Sequence, residues 1–476
     1  MKHETHKSPS GLHSYLTLIL TGVAILFAVF SGAPIQFGVI MGATVASLSA
    51  MTLGWSWAEL EKGICNRIGK LCDTMLIMWM IGFLLGTTLY SGMLPMLVYY
   101  GFQVIKPEHL YFSGTLACML MSVMTGSSWT SAGTAGVACM ALCHGLGANT
   151  GIMAGAVVCG CVFGDKISPM SETTNLAPAC TGTDLYSHIK SQLWTTTPAV
   201  VIALGMYLIV GNNLSGSGEL PETALAIMNE LDGIYRWSPL LLLPVALLLL
   251  LSLLKKPPVP VMAACGAVNL ILGKVIQGFD WKTGFTAAIT GFRAEYITDP
   301  GNLSEKTLYV LDRGGMTSMV SIILICFCGF AMTTVLSEAG FMERAVRPLI
   351  KLANTRWKAM LTAEIAILSV TSMAGISYMS SVFVGEAWRE PFRKNKMGPS
   401  CLSRTLEDVG TCSTSIIPWC STAAFFAGTL EVSAWGPGGY GPWCVLPFIC
   451  PLVAFLLSVL GVAMYPDAEE VPEEIP

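Results

Sequence analysis

Eleven apolar runs constrain this chain more than any other feature. They cover residues 16–30, 35–53, 75–100, 110–124, 152–163, 197–210, 240–254, 261–272, 319–336, 360–370 and 445–462. Inside hydrocarbon every backbone polar group must find its partner within the protein. Several runs reach the roughly 20 residues a helix needs to cross a bilayer, and the shorter ones need tilt, flanking residues or re-entry. Hydrophobic residues make up 53% of the 476, charged residues 12%, and the mean hydropathy is +0.63. A soluble chain of this length carries roughly twice that charge. The expectation is an all-α polytopic membrane protein with about 12 transmembrane helices, in which segments 110–148 and 358–388 are full spans or re-entrant hairpins.

Charge is scarce where it is costly. Between Asp73 and Asp165 the only other formal charges are Lys106 and Glu108. Then comes Gly164-Asp165-Lys166-Ile167-Ser168-Pro169-Met170-Ser171-Glu172-Thr173-Thr174-Asn175-Leu176-Ala177-Pro178. Ionisable groups at bilayer depth usually mark an ion or proton path, and irregular backbone there lines a cavity or is buried in protein. A carboxylate partly stripped of water can take either a metal cation or a proton, so Asp165 is the candidate sodium ligand. Ser168, Ser171, Glu172, Thr173, Thr174 and Asn175 are candidates to complete its oxygen shell. The bland alternative is an Asp165–Lys166 salt bridge at the cytoplasmic surface.

Two further segments carry similar chemistry. Residues 125–136 read Thr-Gly-Ser-Ser-Trp-Thr-Ser-Ala-Gly-Thr-Ala-Gly. Their hydroxyls, with carbonyls freed by a broken helix, suit a desolvated sodium ion without adding charge; Thr125, Ser127, Ser128, Thr130 and Thr134 are the candidates. A close-packed small-residue surface is the alternative. Residues 407–419 again place a carboxylate pair, Glu407 and Asp408, before hydroxyls and Pro418. Asp408, Thr411, Ser413 and Thr414 are its candidate ligands, against a loop end where Arg404 neutralises Glu407. Glu364, in the apolar run 360–370, could titrate if it faces the bundle; the expectation is that it snorkels beside Lys358.

Matches at near-constant spacing suggest duplication. Gly82-Phe83 recurs as Gly329-Phe330 (329 − 82 = 247), the segment starting at Ser122 has a counterpart at Ser369 (369 − 122 = 247), and Asp165 pairs with Asp408 (408 − 165 = 243). Basic residues in short loops set orientation. Lys62, Arg67 and Lys70 precede the first repeat, whereas Arg344, Arg347, Lys351, Arg356 and Lys358 follow the equivalent span of the second. Equivalent helices then enter from opposite sides, the inverted repeat of secondary transporters, with both termini cytoplasmic. The units are residues 1–72, N-terminal helices; 73–212, first repeat; 213–314, connecting helices and loop; 315–464, second repeat; and 465–476, an acidic tail. That tail carries much of the net charge of −4 and reads as solvated.

The polar start, with Lys2 and Lys7, and the length of the segment after it argue against a cleaved signal peptide. Sixteen cysteines lie mostly in apolar runs, where they behave as small hydrophobes; Cys159 and Cys161 lack the partners of a metal site. Residues 184–194 read as an interfacial amphipathic helix, capped by Asp184 and ended before Pro198. Asn213-Leu214-Ser215 and Asn302-Leu303-Ser304 match the glycosylation acceptor pattern.

With Gly164-Asp165-Lys166 through Asn175-Leu176-Ala177-Pro178, Gly182-Thr183-Asp184-Leu185, Leu402-Ser403-Arg404-Thr405-Leu406-Glu407-Asp408 and Ile417-Pro418-Trp419, the chain resembles the NhaC-type sodium/proton antiporter family. Malate/lactate exchangers are among its members. The resemblance implies a secondary antiporter of the cytoplasmic membrane, working by alternating access, with sodium and protons as cargo and no cofactor. It also implies contact with lipid, no nucleic-acid partner, and an architecture open to oligomers. The chain departs from the family pattern at Glu172, where Asp is usual, at Ile376 and Ser377, where Asp-Gln is common, and at Cys420, where Asn is common. The competing reading is a sodium- or proton-coupled exchanger of an organic anion or amino acid. A passive channel needs neither titrating carboxylate nor inverted duplication. An intramembrane enzyme lacks both a His-Glu-x-x-His and a Gly-x-Ser-x-Gly motif here.

Overall fold

The computed structural model describes residues 6–31, 33–70, 72–212, 222–254 and 256–465. Among them, every regular element is a helix. Large apolar side chains stand exposed along Gly11–Phe30 (Leu16, Ile19, Leu20, Val23, Phe27) and along Leu446–Leu460 (Phe448, Leu452, Leu456, Val459). Contiguous apolar surface on this scale is covered by something other than water, and with the helix lengths it indicates a multi-pass membrane protein. Five described helices are long and apolar enough to cross a bilayer, or seven if two bent pairs, kinked by 70° and 104°, each count once. The expected dozen exceeds this count, and several described helices are short or interrupted at glycine or proline.

Those interruptions recur in order. The first half runs Cys72–Ser91, Met93–Val104, Leu110–Thr125, Ser128–Ser131, Thr150–Ile167 and Glu172–Thr181. The second runs Val320–Glu338, Phe341–Leu352, Arg356–Ala374, Ser377–Ala387, Pro399–Thr405 and Ser421–Leu430. Corresponding helices start 246–249 positions apart (356 − 110 = 246, 341 − 93 = 248, 421 − 172 = 249). Segments 110–148 and 358–388 are both broken helices. Each first arm ends on a glycine in the left-handed region, Gly126 (φ 66°) and Gly375 (φ 71°), a conformation that charges an L side chain about 1–2 kcal/mol. A Cβ on Gly126 would also sit 2.7 Å from the Met170 backbone carbon. The break is therefore built into both the dihedral and the packing.

Helices Leu110–Thr125 and Thr150–Ile167 lie closely together because Gly160 and Gly164 present bare backbone to Thr115, Cys118 and Ser122, the small-residue packing that membrane helices favour. Residues 184–194 are no separate interfacial helix. Asp184 does cap, accepting from the Tyr186 and Ser187 amides at 3.0 Å each, but the helix continues as Leu185–Gly211 through Pro198. Its inner face buries His188, Gln192 and Thr195, which face protein partners. The 213–215 acceptor triplet, Lys2, Lys255 and residues 466–476 of the acidic tail lie outside the described residues.

Candidate functional site

The last turn of Thr150–Ile167 delivers Asp165 to the point where the break after Thr125 and the start of Glu172–Thr181 converge. Its Oδ2 accepts from the Ser128 hydroxyl at 2.7 Å and its Oδ1 from the Ser171 hydroxyl at 2.7 Å. Thr174 donates to the Asp165 carbonyl at 2.6 Å, and Thr173 lies 3.1 Å from Ser171. Ser127 caps the short helix Ser128–Ser131 by accepting from the Thr130 amide, which fixes the direction of Ser128. Thr125 bonds the Met121 carbonyl at 2.9 Å and meets Ser131 at 3.2 Å. Asp165 is half-buried and held by hydroxyls, with no basic side chain bonded to it among the described residues.

Asp165 faces a cavity of about 720 Å³. From the first half its wall takes Thr125, Ser127, Ser128, Thr130, Ser171, Glu172, Thr173 and Asn175; from the second, Ile376, Ser377, Tyr378, Thr411, Thr414 and Ser421. Among the described residues, Lys256 is the one basic residue on the wall. Glu172 reaches across the halves, accepting from the Tyr378 hydroxyl at 2.5 Å. Trp129 closes part of the wall, stacked on Phe425 with ring centroids 4.8 Å apart and planes 18° apart.

Five expected ligands stand off the cavity wall. Ser168 bonds the Val123 carbonyl, Thr174 the Asp165 carbonyl, Thr134 the Thr130 carbonyl and Ser413 the Gly410 carbonyl. These hydroxyls satisfy backbone groups that the breaks and turns expose. The fifth is Asp408. Its Oδ1 accepts from Lys166 Nζ at 2.6 Å and from the Thr195 hydroxyl at 2.9 Å, and both charged side chains are 0% exposed. Lys166 thus bridges to the other half and does not pair with Asp165. The sequence pairing of Asp165 with Asp408 also shifts. At the spacing of the helix starts, Asp165 corresponds to Thr414 (414 − 165 = 249), and Thr414 lines the cavity.

Around that pair lies a buried polar layer. Glu407 is 1% exposed and Arg404 0%. Arg404 binds the Ala463 carbonyl at 3.3 Å and Cys401 sulfur at 3.3 Å. No ion pair joins it to Glu407 among the described residues. Glu364 is not beside Lys358, which covers the Trp357 ring; it lies near Asp408 and Arg404, with Oε1 buried and unpartnered. Cys159 packs 3.9 Å from the Cys444 sulfur and 3.2 Å from the Tyr207 hydroxyl, and no group of three or more His, Cys, Asp or Glu among the described residues could hold a metal. Tyr378, Thr195 and Ser421 went unforeseen. Tyr378 sits in the second broken helix, which pointed to it; Thr195, inside a long regular helix, carries no local signal.

The sequence pattern of the Na+/H+ antiporter family matches residues 160–462. An uncharacterised Na(+)/H(+) antiporter of Haemophilus influenzae is 33% identical over 467 residues, 97% of this chain and 98% of that protein. The Na(+)/H(+) antiporter NhaC of Alkalihalophilus pseudofirmus is 31% identical, covering 94% and 96%. The malate-2H(+)/Na(+)-lactate antiporter of Bacillus subtilis is 28% identical, covering 94% and 92%. The family match and these relatives, with the apolar helices, define the class as an ion-coupled membrane transporter. The chain belongs to the Na+/H+ antiporter family.

Proposed function

We propose that this protein exchanges sodium for protons across the cytoplasmic membrane by alternating access, with Asp165 as the carboxylate that carries each in turn. The observation that supports the reading is Asp165 at the cavity wall, its carboxylate held among the described residues by the Ser128 and Ser171 hydroxyls. A hydroxyl donates to a carboxylate or turns its lone pairs toward a cation. When sodium arrives, Ser128, Ser171 and Thr173 reverse from donors to ligands; when a proton arrives, Asp165 is neutralised and the sodium shell collapses. Glu172, Thr125, Ser127, Thr130, Asn175, Thr411 and Thr414 supply the surrounding polar wall. The regular helix spacing and the basic loop residues support two repeats, 73–212 and 315–464, inverted across the membrane, with some 12 crossings and cytoplasmic termini. In proteoliposomes Asp165→Asn is expected to abolish sodium-dependent proton movement; retained exchange removes Asp165 from the role.

One observation favours a second cargo. At roughly 30 Å³ per water, 720 Å³ holds far more than one sodium ion with its ligands. Lys256 offers a cation to a carboxylate, and a relative is named for malate and lactate. Sodium flux measured with and without malate, lactate or an amino acid decides this; flux indifferent to all of them leaves sodium/proton exchange as the whole activity.

A further inference from the structure

The buried layer behind the cavity has one carboxylate too many. Lys166 is matched by Asp408 at 2.6 Å, and Glu364 has Arg404 within electrostatic reach. His188, held by Ser403 at 2.8 Å, faces Lys166 and Arg404. That leaves Glu407, whose charged neighbours are Asp165, Asp408 and an already committed Lys166. Counting Lys166 and Arg404 against Asp408, Glu364 and Glu407 gives 2 − 3 = −1 at their usual charges. An unpaired charge in such a place is costly. Two buried oxygens point to what offsets it. Among the described residues Glu407 Oε2 and Thr411 Oγ1 have no well-formed hydrogen bond to any other group; they face each other from successive turns of one helix face, close enough to interact. They sit in a π-helical stretch, Leu406–Thr411, a distortion that recurs at functional sites. Thr411 also lines the cavity, so an ion leaving Asp165 has a polar step toward Glu407.

We propose that Glu407 and Thr411 form a second seat for sodium, deeper than Asp165, so that the loaded protein carries two sodium ions. The proposal rests on the sodium reading of the cavity and deepens it. The expected test uses the purified full-length chain in detergent and equilibrium binding of radioactive sodium. Wild type retains two ions per chain, Asp165→Asn one, Glu407→Gln one, and the double variant none. Thr411→Val removes a hydroxyl at near-constant volume; it is expected to raise half-saturating sodium for one of the two ions about tenfold or more, a hydrogen-bonding oxygen near charge being at stake. Glu407→Gln binding as many ions as wild type overturns the seat, as does Thr411→Val binding with unchanged affinity. Should Asp165→Asn keep both ions while Glu407→Gln loses one, the Asp165 reading falls and this one stands.

Discussion

Asp408→Asn is the most informative single change for stability. In the native protein Lys166 and Asp408 are 0% exposed and 2.6 Å apart, and Thr195 completes the contact at 2.9 Å. The amide keeps the shape but strips the lysine of its counter-charge. Removing one partner of a buried pair costs about 3–5 kcal/mol, because the survivor is left charged in a medium that cannot solvate it. Lys166→Met has the mirror effect on Asp408, whose Oδ2 already lacks a hydrogen bond. The double variant Lys166→Met/Asp408→Leu removes both charges and restores apolar packing, so it should be more stable than either single one. A double-mutant cycle on the thermal midpoint in detergent reads this directly. Each single change should lower the midpoint by on the order of 5–15 °C at a few degrees per kcal/mol, with the double variant recovering at least half. If Asp408→Asn unfolds with wild type, or the double variant is no better than the worse single one, the pair is not a buried, mutually neutralising contact and the account of the layer fails.

Other expectations are quicker to check. Ser128→Ala and Ser171→Ala each remove one hydroxyl from Asp165, so half-saturating sodium in a flux assay should rise roughly 10–100-fold, the range for a hydrogen bond to a charged group, while maximal rate falls less. Gly126→Ala forces a side chain into a left-handed position and against Met170; a drop of more than about 2 kcal/mol is expected from strain and overpacking together, seen as loss of monodisperse protein on gel filtration. Tyr378→Phe should leave folding intact and weaken only the link to Glu172, shifting the sodium dependence without abolishing exchange.

Much of this was legible in the residues. The apolar runs gave the helices, and the glycines and prolines gave the breaks, because both are local properties of chain and solvent. The half of the site contributed by residues 165–175 is contiguous, so Ser171 and Thr173 could be read beside Asp165. Ser128 came from a separate segment that stood out by its hydroxyls. What stayed hidden is long-range choice. Lys166 could have turned to Asp165, one residue away, yet it crosses to Asp408, 242 residues on. No local pattern records which buried charges meet. The mismatch of 243 against 249 positions arose for a related reason: carboxylates attract attention in a sequence, whereas the residue that the helix-start spacing sets against Asp165 is an uncharged threonine. Ser168, Thr134 and Ser413 looked like ligands because a hydroxyl that mends backbone is indistinguishable, in one dimension, from one that awaits an ion.

Asp165 and Lys166 are consecutive residues of a single helix, so the cavity-facing carboxylate and the tether share one piece of backbone. Any displacement of the first acts on the second, and Lys166 is paired with Asp408 in the 406–411 turn of the other half. Helix 150–167 and turn 406–411 are therefore joined through one buried ion pair, and any motion that parts them has to break it.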